Sequence, residues 1–317
     1  MKPGAACPLS SATFVRIFTL TPVFYLPMKT RKMLFRSIRG ACLLAATVCA
    51  VSSVSASVLM FDFGTAIAAG ADLSNSPLHA ADSSFTGTSW NSVNTTTTGA
   101  KSGFLYADGT PASGVTLSLG RSSNTPWSTV TFAGGPTNVT STSNPASLSG
   151  VFSSATSIGR DGHYAANASG SGDPSPTRLM ATAIGGLGAG TYDVYLVGMN
   201  PNLALGASMG FWAVELPGTG NYDATALVGG GAQATSGNSV SASWIEGGNY
   251  AKTTITLSSP DSYLTLFSLG MSDAEQRGFI NAIQIVAIPE PANAAGLAGL
   301  AACLGLGMLR RRRRRVS

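Results

Sequence analysis

The chain has 317 residues, 10% of them charged and 44% hydrophobic, with 38 glycines and a formal net charge of +5 from 19 Lys+Arg against 14 Asp+Glu. That positive balance sits at the two ends. Between Ser57 and Glu290 only Lys101, Arg121, Arg160, Arg178, Lys252 and Arg277 face all 14 acidic residues, a net charge of −8, so overall charge gives no ground for a nucleic-acid-binding surface. All four cysteines (Cys7, Cys42, Cys49 and Cys303) lie outside the same stretch, which excludes disulfides and thiolate chemistry from it.

In chain order, the first segment reads as an export signal. Lys29, Arg31, Lys32, Arg36 and Arg39 form a basic region, and Gly40–Val54 follows as an apolar run of 15 residues. Val54-Ser55-Ala56 places small residues at the −3 and −1 positions, so residues 1–56 are expected to be a signal peptide cleaved after Ala56. Residues 1–27 do not fit that layout. A start at Met28 or Met33 gives an ordinary basic region, and an N-terminal extension on the signal is the alternative. A signal of this kind implies passage through the Sec export machinery.

Residues 57–287 read as a single all-β domain, because the segment is rich in Gly, Ser, Thr and Asn, lacks a long stretch of helical period, and carries many short strand signals. Val58–Phe63 is the first strand. Val115–Leu119, Trp127–Phe132, Gly190–Val197, Phe211–Leu216, Lys252–Leu257 and Tyr263–Leu269 follow, and Gly278–Val286 closes the domain. Thr95–Gly103 and Ala133–Gly150 read as long loops. Asp108-Gly109 reads as a hairpin turn between 104–106 and 115–119, and Asp161-Gly162-His163 as another turn. A short helix is expected at Ser272–Gln276, with Ser272 as its N-cap. Many short strands with Gly/Ser/Asn turns favour a β-sandwich or jelly roll. In such folds the first and last strands pair, which would set Phe61-Asp62-Phe63 beside Ile283–Val286.

The chemistry-bearing residues form no catalytic constellation. Gly206-Ala207-Ser208-Met209-Gly210 matches a nucleophile elbow in spelling, but no histidine follows Ser208 and the next residues read as a strand rather than a helix. His79 and His163 lack metal-ligand spacing. Asp193, Glu215, Glu246 and Asp273 are the acids from which a glycosidase pair would have to come. Trp90 and Trp244, in polar loop-like contexts, are the candidate sugar-stacking residues.

The C-terminal segment, 288–317, carries three devices in a fixed order. Pro289-Glu290-Pro291 holds the chain extended. Ala292–Leu309 is an uncharged run of 18 residues, a transmembrane helix of roughly 27 Å. Arg310, Arg311, Arg312, Arg313, Arg314 and Arg315 form a stop signal that favours the cytoplasmic side. This order resembles the PEP-CTERM sorting signal of Gram-negative bacteria that make extracellular polysaccharide. The resemblance implies processing by exosortase, whose catalytic cysteine belongs to the exosortase. An ordinary C-terminal anchor helix is the alternative, and it leaves Pro-Glu-Pro unexplained.

A second resemblance lies in Phe61-Asp62-Phe63-Gly64, Trp90-Asn91, Gly190–Tyr195 and Ile280–Ile285, which together look like galactose-binding-like jelly rolls. Such modules recur in exported bacterial proteins and many bind carbohydrate. The resemblance implies a jelly-roll fold and a structural Ca²⁺ held by carboxylates, for which Asp62, Asp72 and Asp273 are the candidates. The expected protein is an exported cell-surface or matrix protein, not an enzyme, that contacts extracellular polysaccharide. It would be anchored transiently in the inner membrane with its C-terminus cytoplasmic. The alternatives are a secreted polysaccharide-active enzyme and an unprocessed membrane-anchored adhesin.

Overall fold

The computed structural model describes residues 57–64, 70–94, 99–122, 129–132, 139–141, 148–154, 156–165, 179–200, 208–224, 227, 233–235, 241–271 and 277–289. The expected signal peptide with Ala56, the helix at 272–276 with Asp273, Glu290, Pro291, the apolar run and the arginine block lie outside them. Among the described residues no helix is long and apolar enough to cross a membrane.

The elements in chain order are β1 (Val58–Phe63), α1 (Pro77–Ala81), β2 (Asn91–Val93), β3 (Thr116–Ser122), β4 (Thr129–Thr131), β5 (Val139–Ser141), β6 (His163–Ala165) and β7 (Met180–Gly185). They continue with β8 (Gly190–Val197), β9 (Met209–Leu216), β10 (Asn221–Asp223), β11 (Gln233–Thr235), β12 (Ala251–Leu257), β13 (Tyr263–Gly270), β14 (Phe279–Ile280) and β15 (Ala282–Ile288). A five-stranded sheet has the order β12-β8-β15-β1-β2, a seven-stranded sheet the order β10-β4-β3-β7-β13-β9-β11, and a three-stranded sheet the order β14-β6-β5. This is an all-β sandwich.

The alternation of side chains explains the layering. Leu59, Phe61 and Phe63 of β1, Val194 and Leu196 of β8, and Ile283 and Ile285 of β15 point one way. They share a core with Leu117, Leu119, Ile184, Phe211, Leu264 and Leu266 of the facing sheet. The opposite face of the five-stranded sheet is covered as well. Val58, Met60, Tyr195, Val197 and Ala282 pack under Leu78 of α1 and under Val151, Phe152 and Ile158. The outer face of the seven-stranded sheet is filled by Phe132, Trp212, Leu227, Phe267 and Leu269. A strand covered on both faces reads as a continuous apolar run, and all six residues of β1 are buried.

The terminal strands do pair. β1 runs antiparallel to β15 with Val58 opposite Val286 and Phe61 opposite Ile283, while β15 also pairs with β8 on its other side. The expected closing strand 278–286 is two strands, broken at Asn281. Phe279–Ile280 turns away to pair with β6, and the fully buried Asn281 fills the corner. Its backbone N–H donates to the Val197 carbonyl, and its carbonyl accepts from the Phe63 N–H. Its Oδ1 accepts from the Met199 N–H and its Nδ2 donates to the Asp161 carbonyl, each at 2.8 Å. A residue whose four polar positions are all met can leave one sheet and start another without orphaning a buried group.

Three further expectations change. The loop expected at 133–150 contains β5, which pairs with β6. The turn at Asp108-Gly109 forms, but it sets Leu105 against Pro111, and β3 instead pairs with β7 and meets Lys101 at a single bridge. Asp161-Gly162 bends as expected, yet His163 begins a strand and is wholly buried.

Where β7, β13 and the start of β14 meet, Gly278 leaves no room for a side chain. A Cβ there would overlap the Ser268 carbonyl oxygen and lie 2.6 Å from the Met180 nitrogen. Gly278→Ala is therefore expected to destabilise the fold by about 2–3 kcal/mol, measured as a shift of the urea midpoint with the slope unchanged.

Candidate functional site

Two places in the described structure concentrate polar chemistry. The first is a buried cluster at the corner of the five-stranded sheet. Asp62 is 4% exposed and Asp161 5%. The Asp62 Oδ1 accepts from the Gly159 N–H at 2.8 Å. Burial pushes the Asp62 carboxyl well above the usual carboxylate range; the Gly159 N–H pulls it back in part, and the neighbouring Asp161 charge adds to the rise. Asp161 packs so closely on Gly64 that a Cβ there would lie 2.6 Å from its Oδ2. His163 donates from Nε2 to the Val93 carbonyl at 2.7 Å, while its Nδ1 has no hydrogen-bond partner. Burial lowers its pKa to about 4, against the opposing effect of the Val93 bond, with nearby Lys101 adding to the fall. The ring is thus neutral at pH 7.

The second place is a groove of about 850 Å³ at the rim of the same sheet, within the range of small-molecule sites. Val58, Val286, Leu78 and Ala107 form its apolar base, and Phe85 and Tyr106 are its aromatic residues. Segments 82–89 and 106–110 supply its walls. Each wall carries the same turn. Asp82 Oδ1 accepts from the N–H (2.9 Å) and the hydroxyl (2.6 Å) of Ser84, and Asp108 Oδ1 accepts from the N–H (2.9 Å) and the hydroxyl (2.6 Å) of Thr110. The Ser84 and Thr110 hydroxyl bonds, followed by their N–H bonds, hold both carboxyls below the usual carboxylate range. The groove therefore presents two fixed anions, several hydroxyls and two aromatic rings.

The walls are tied together and to the sheet. The Ala107 carbonyl accepts from the N–H groups of both Thr88 and Ser89, and the Ala107 N–H donates to Val58. Gly87 is needed where the walls meet, since a Cβ would lie 2.7 Å from that of Ala107 and 2.8 Å from the Phe85 ring.

Sequence reasoning missed this groove. Its sequence signal is the repeated Asp-x-Ser and Asp-x-Thr spacing at 82–84 and 108–110, an Asx-turn pattern.

The residues singled out from the sequence are placed as follows. Trp90 is half-buried and donates from Nε1 to the Leu73 carbonyl. Trp244 is half-buried, donates from Nε1 to Asn75 Oδ1, and stands edge-on to Phe152. Both pack against the cluster beneath the outer face of the five-stranded sheet. Asp72 is exposed and accepts from the Ser74 hydroxyl, whereas Asp62 is sealed in the corner. Among the described residues no group of three or more His, Cys, Asp or Glu side chains could hold a metal ion. Pro289 is exposed just past β15.

Two of the four candidate acids serve the framework, while Glu246 is exposed and Asp273 lies outside the described residues. Asp193 pairs with Lys252 at 2.9 Å and accepts from Thr254. Glu215 holds the N–H and hydroxyl of Ser258. Ser208 leads directly into β9. The Ser76–His79 contact of 2.6 Å has the spacing of a nucleophile and base, but Ser76 is fully buried, away from any substrate.

No family model matches the chain, and no curated protein matches it. A solved family 35 carbohydrate binding module from Clostridium thermocellum is similar over 40% of this chain and 78% of its own, at 9% identity and a TM-score of 0.24. A likeness of that size carries no argument.

Asp62 and His163, both buried, act on stability with opposite signs. The raised Asp62 contributes stability that is full below its unfolded pKa and is lost as pH rises through its folded value. The lowered His163 contributes stability that is full above its unfolded pKa and is lost as pH falls from about 6.5 toward about 4. Asp62→Asn keeps an acceptor for Gly159 and removes the buried charge. It is expected to raise the melting temperature at pH 8 by roughly 2–4 °C for each kcal/mol of burial cost relieved and to lose stability more steeply on acidification, followed by thermal melts from pH 8 to 4.

Proposed function

We propose that this is an exported, exosortase-processed surface or matrix protein whose sandwich contacts extracellular polysaccharide without turning it over. The sequence order of the C-terminal parts supports the sorting half: Pro289-Glu290-Pro291, then the apolar run, then the arginines. On this reading Sec delivers the chain, cleavage follows Ala56, and the tail anchors it in the inner membrane until exosortase acts. Mass spectrometry of the mature protein is expected to find Arg310–Arg315 gone. An intact arginine block would identify an ordinary anchored adhesin.

The observation that carries the ligand half is the groove. A sugar chain offers hydroxyl donors to fixed carboxylates and C–H faces to aromatic rings, and Asp82, Asp108, Phe85 and Tyr106 supply both. The anionic walls favour neutral or amino sugars over uronic acids. Asp82 and Asp108 are each bonded within a turn and held below the usual carboxylate range, which suits neither to act as a general acid, so the reading is one of binding.

A structural Ca²⁺ belongs to the same proposal. The desolvated Asp62 beside Asp161 has the hard-oxygen chemistry the ion takes, and Asp72, on an exposed loop with its carboxylate bonded to Ser74, adds nothing to that pair. A rise in melting temperature with Ca²⁺ that EDTA reverses and Asp62→Asn lacks is the expected result.

The binding test is calorimetric titration of the purified protein with the producer's extracellular polysaccharide. Saturable heat is expected without new reducing ends. Replacing Asp82 and Asp108 together by Asn keeps both turns but removes the charges, and is expected to weaken binding roughly tenfold. Undiminished heat in the double variant would remove the groove from the reading, and new reducing ends would make the protein an enzyme.

A further inference from the structure

Besides the Thr88 and Ser89 bonds to Ala107, the wall formed by 82–89 is fastened to β15 through one histidine in one tautomer. Gln284 is almost wholly buried on β15, and its Oε1 accepts the Leu78 N–H at 2.9 Å. That bond fixes the orientation of the amide, so Nε2 donates to the Ser76 hydroxyl at 2.8 Å. Ser76 stands at the N-cap of α1 but makes no capping bond with its side chain, because its oxygen accepts from Gln284 and its hydrogen is directed to His79 Nδ1 at 2.6 Å. The Gly87 carbonyl, 2.9 Å from His79 Nε2, can only accept, so Nε2 carries the ring proton and Nδ1 is bare. The bonds therefore run in one direction, from Gln284 to Ser76 to His79 and on to Gly87.

We propose that His79 is the positioning residue of the groove, a neutral Nε2–H tautomer that latches the 82–89 wall to β15 and releases it when the ring takes a second proton. The inference rests on the groove being the saccharide site. A proton on Nδ1 would point at a hydroxyl that already accepts from Gln284, and Ser76, at 0% exposure, has no solvent to which its own hydrogen can turn. The groups facing the ring are uncharged on three sides: Ser76, the Gly87 carbonyl, and the Phe85 ring, whose centroid is 4.7 Å away. Among the described residues, Asp72 is the charge that acts on it, and it favours the proton. Burial outweighs Asp72 and the Gly87 bond, and the ring titrates below its ordinary value. Because the folded state binds the proton less readily than the unfolded one, the latch holds at neutral pH and weakens as pH falls through the folded value.

The test reads the latch without ligand as well as with it. Nitrogen NMR of the His79 ring is expected to show Nε2–H and bare Nδ1 at pH 7.5. Amide exchange at 84–89 is expected to quicken at least tenfold as the ring titrates, and saccharide affinity to fall in parallel. Samples are kept above the range near pH 4 where His163 titrates. His79→Gln retains a donor for Gly87 and cannot titrate. It should keep the wall protected near the wild-type level at pH 7.5 and give a flat pH profile, whereas His79→Leu should expose 84–89 at every pH. An Nδ1–H tautomer, exchange at 84–89 unmoved by the titration, or a His79→Gln profile like the wild type would each overturn the proposal. A latch that titrates as expected in a protein giving no saccharide heat would overturn the ligand assignment alone.

Discussion

The antiparallel pairing of β1 with β15 is the contact on which the remaining structure depends. It joins the first strand of the domain to the last and places β15 between β8 and β1, so the middle of the five-stranded sheet is built from residues about 220 positions apart in sequence. No disulfide braces the closure, because the segment from 57 to 290 has no cysteine. Buried amides do that work. Asn91 bonds the Met60 carbonyl and both backbone groups of Leu105. Asn249 holds Ile245 and Ser243, Asn281 fills the corner between two sheets, and Gln284 seats α1. An amide presents both donors and acceptors, so one side chain can meet both groups that an interrupted ladder leaves unpaired. The four amides themselves are buried, and a buried amide that loses its partner is costly.

This dependence connects the fold to the groove. The groove's base is the edge of the β1–β15 pair at Val58 and Val286, and its outer wall is held both by Ala107 and by Gln284 through Ser76 and His79. The twin Asx turns stiffen the rims, while the floor is part of the core. What holds the site in shape is therefore largely the same set of bonds that closes the domain.

The sequence revealed the strands whose patterning is local. Gly190 followed by strict alternation placed β8, and the apolar run before Gly64 placed β1, both with the observed bounds. β7 escaped notice because Met180-Ala181-Thr182-Ala183-Ile184-Gly185 is made of small and mixed residues that read as neither period; its strand state comes from lying between β3 and β13. α1 is a single turn and a half, too short to show a periodic face. The break at Asn281 was hidden inside an apolar stretch, since only tertiary partners make an asparagine a corner. The groove was the least legible part. It draws on Ser57 and Val58, on 82–89, on 106–110 and on Val286, which come together only once the terminal strands have paired. The tryptophans drew attention by their size, and the fold uses that size to pack beneath the loops.

The position of β15 also decides how the domain bears a mechanical load. The strand ends at Ile288 and the chain reaches exposed Pro289 at the next residue. A pull applied beyond that point acts along a strand held by seven register pairs to β8 and five to β1. The load is a shear shared by two ladders, and no edge is available to peel open. Val286, at the base of the groove, lies three residues before Pro289, about 10 Å along the strand. A polymer gripped in the groove and a tether attached to the tail would thus pull on the same few residues, and the force path between them would bypass the rest of the sandwich.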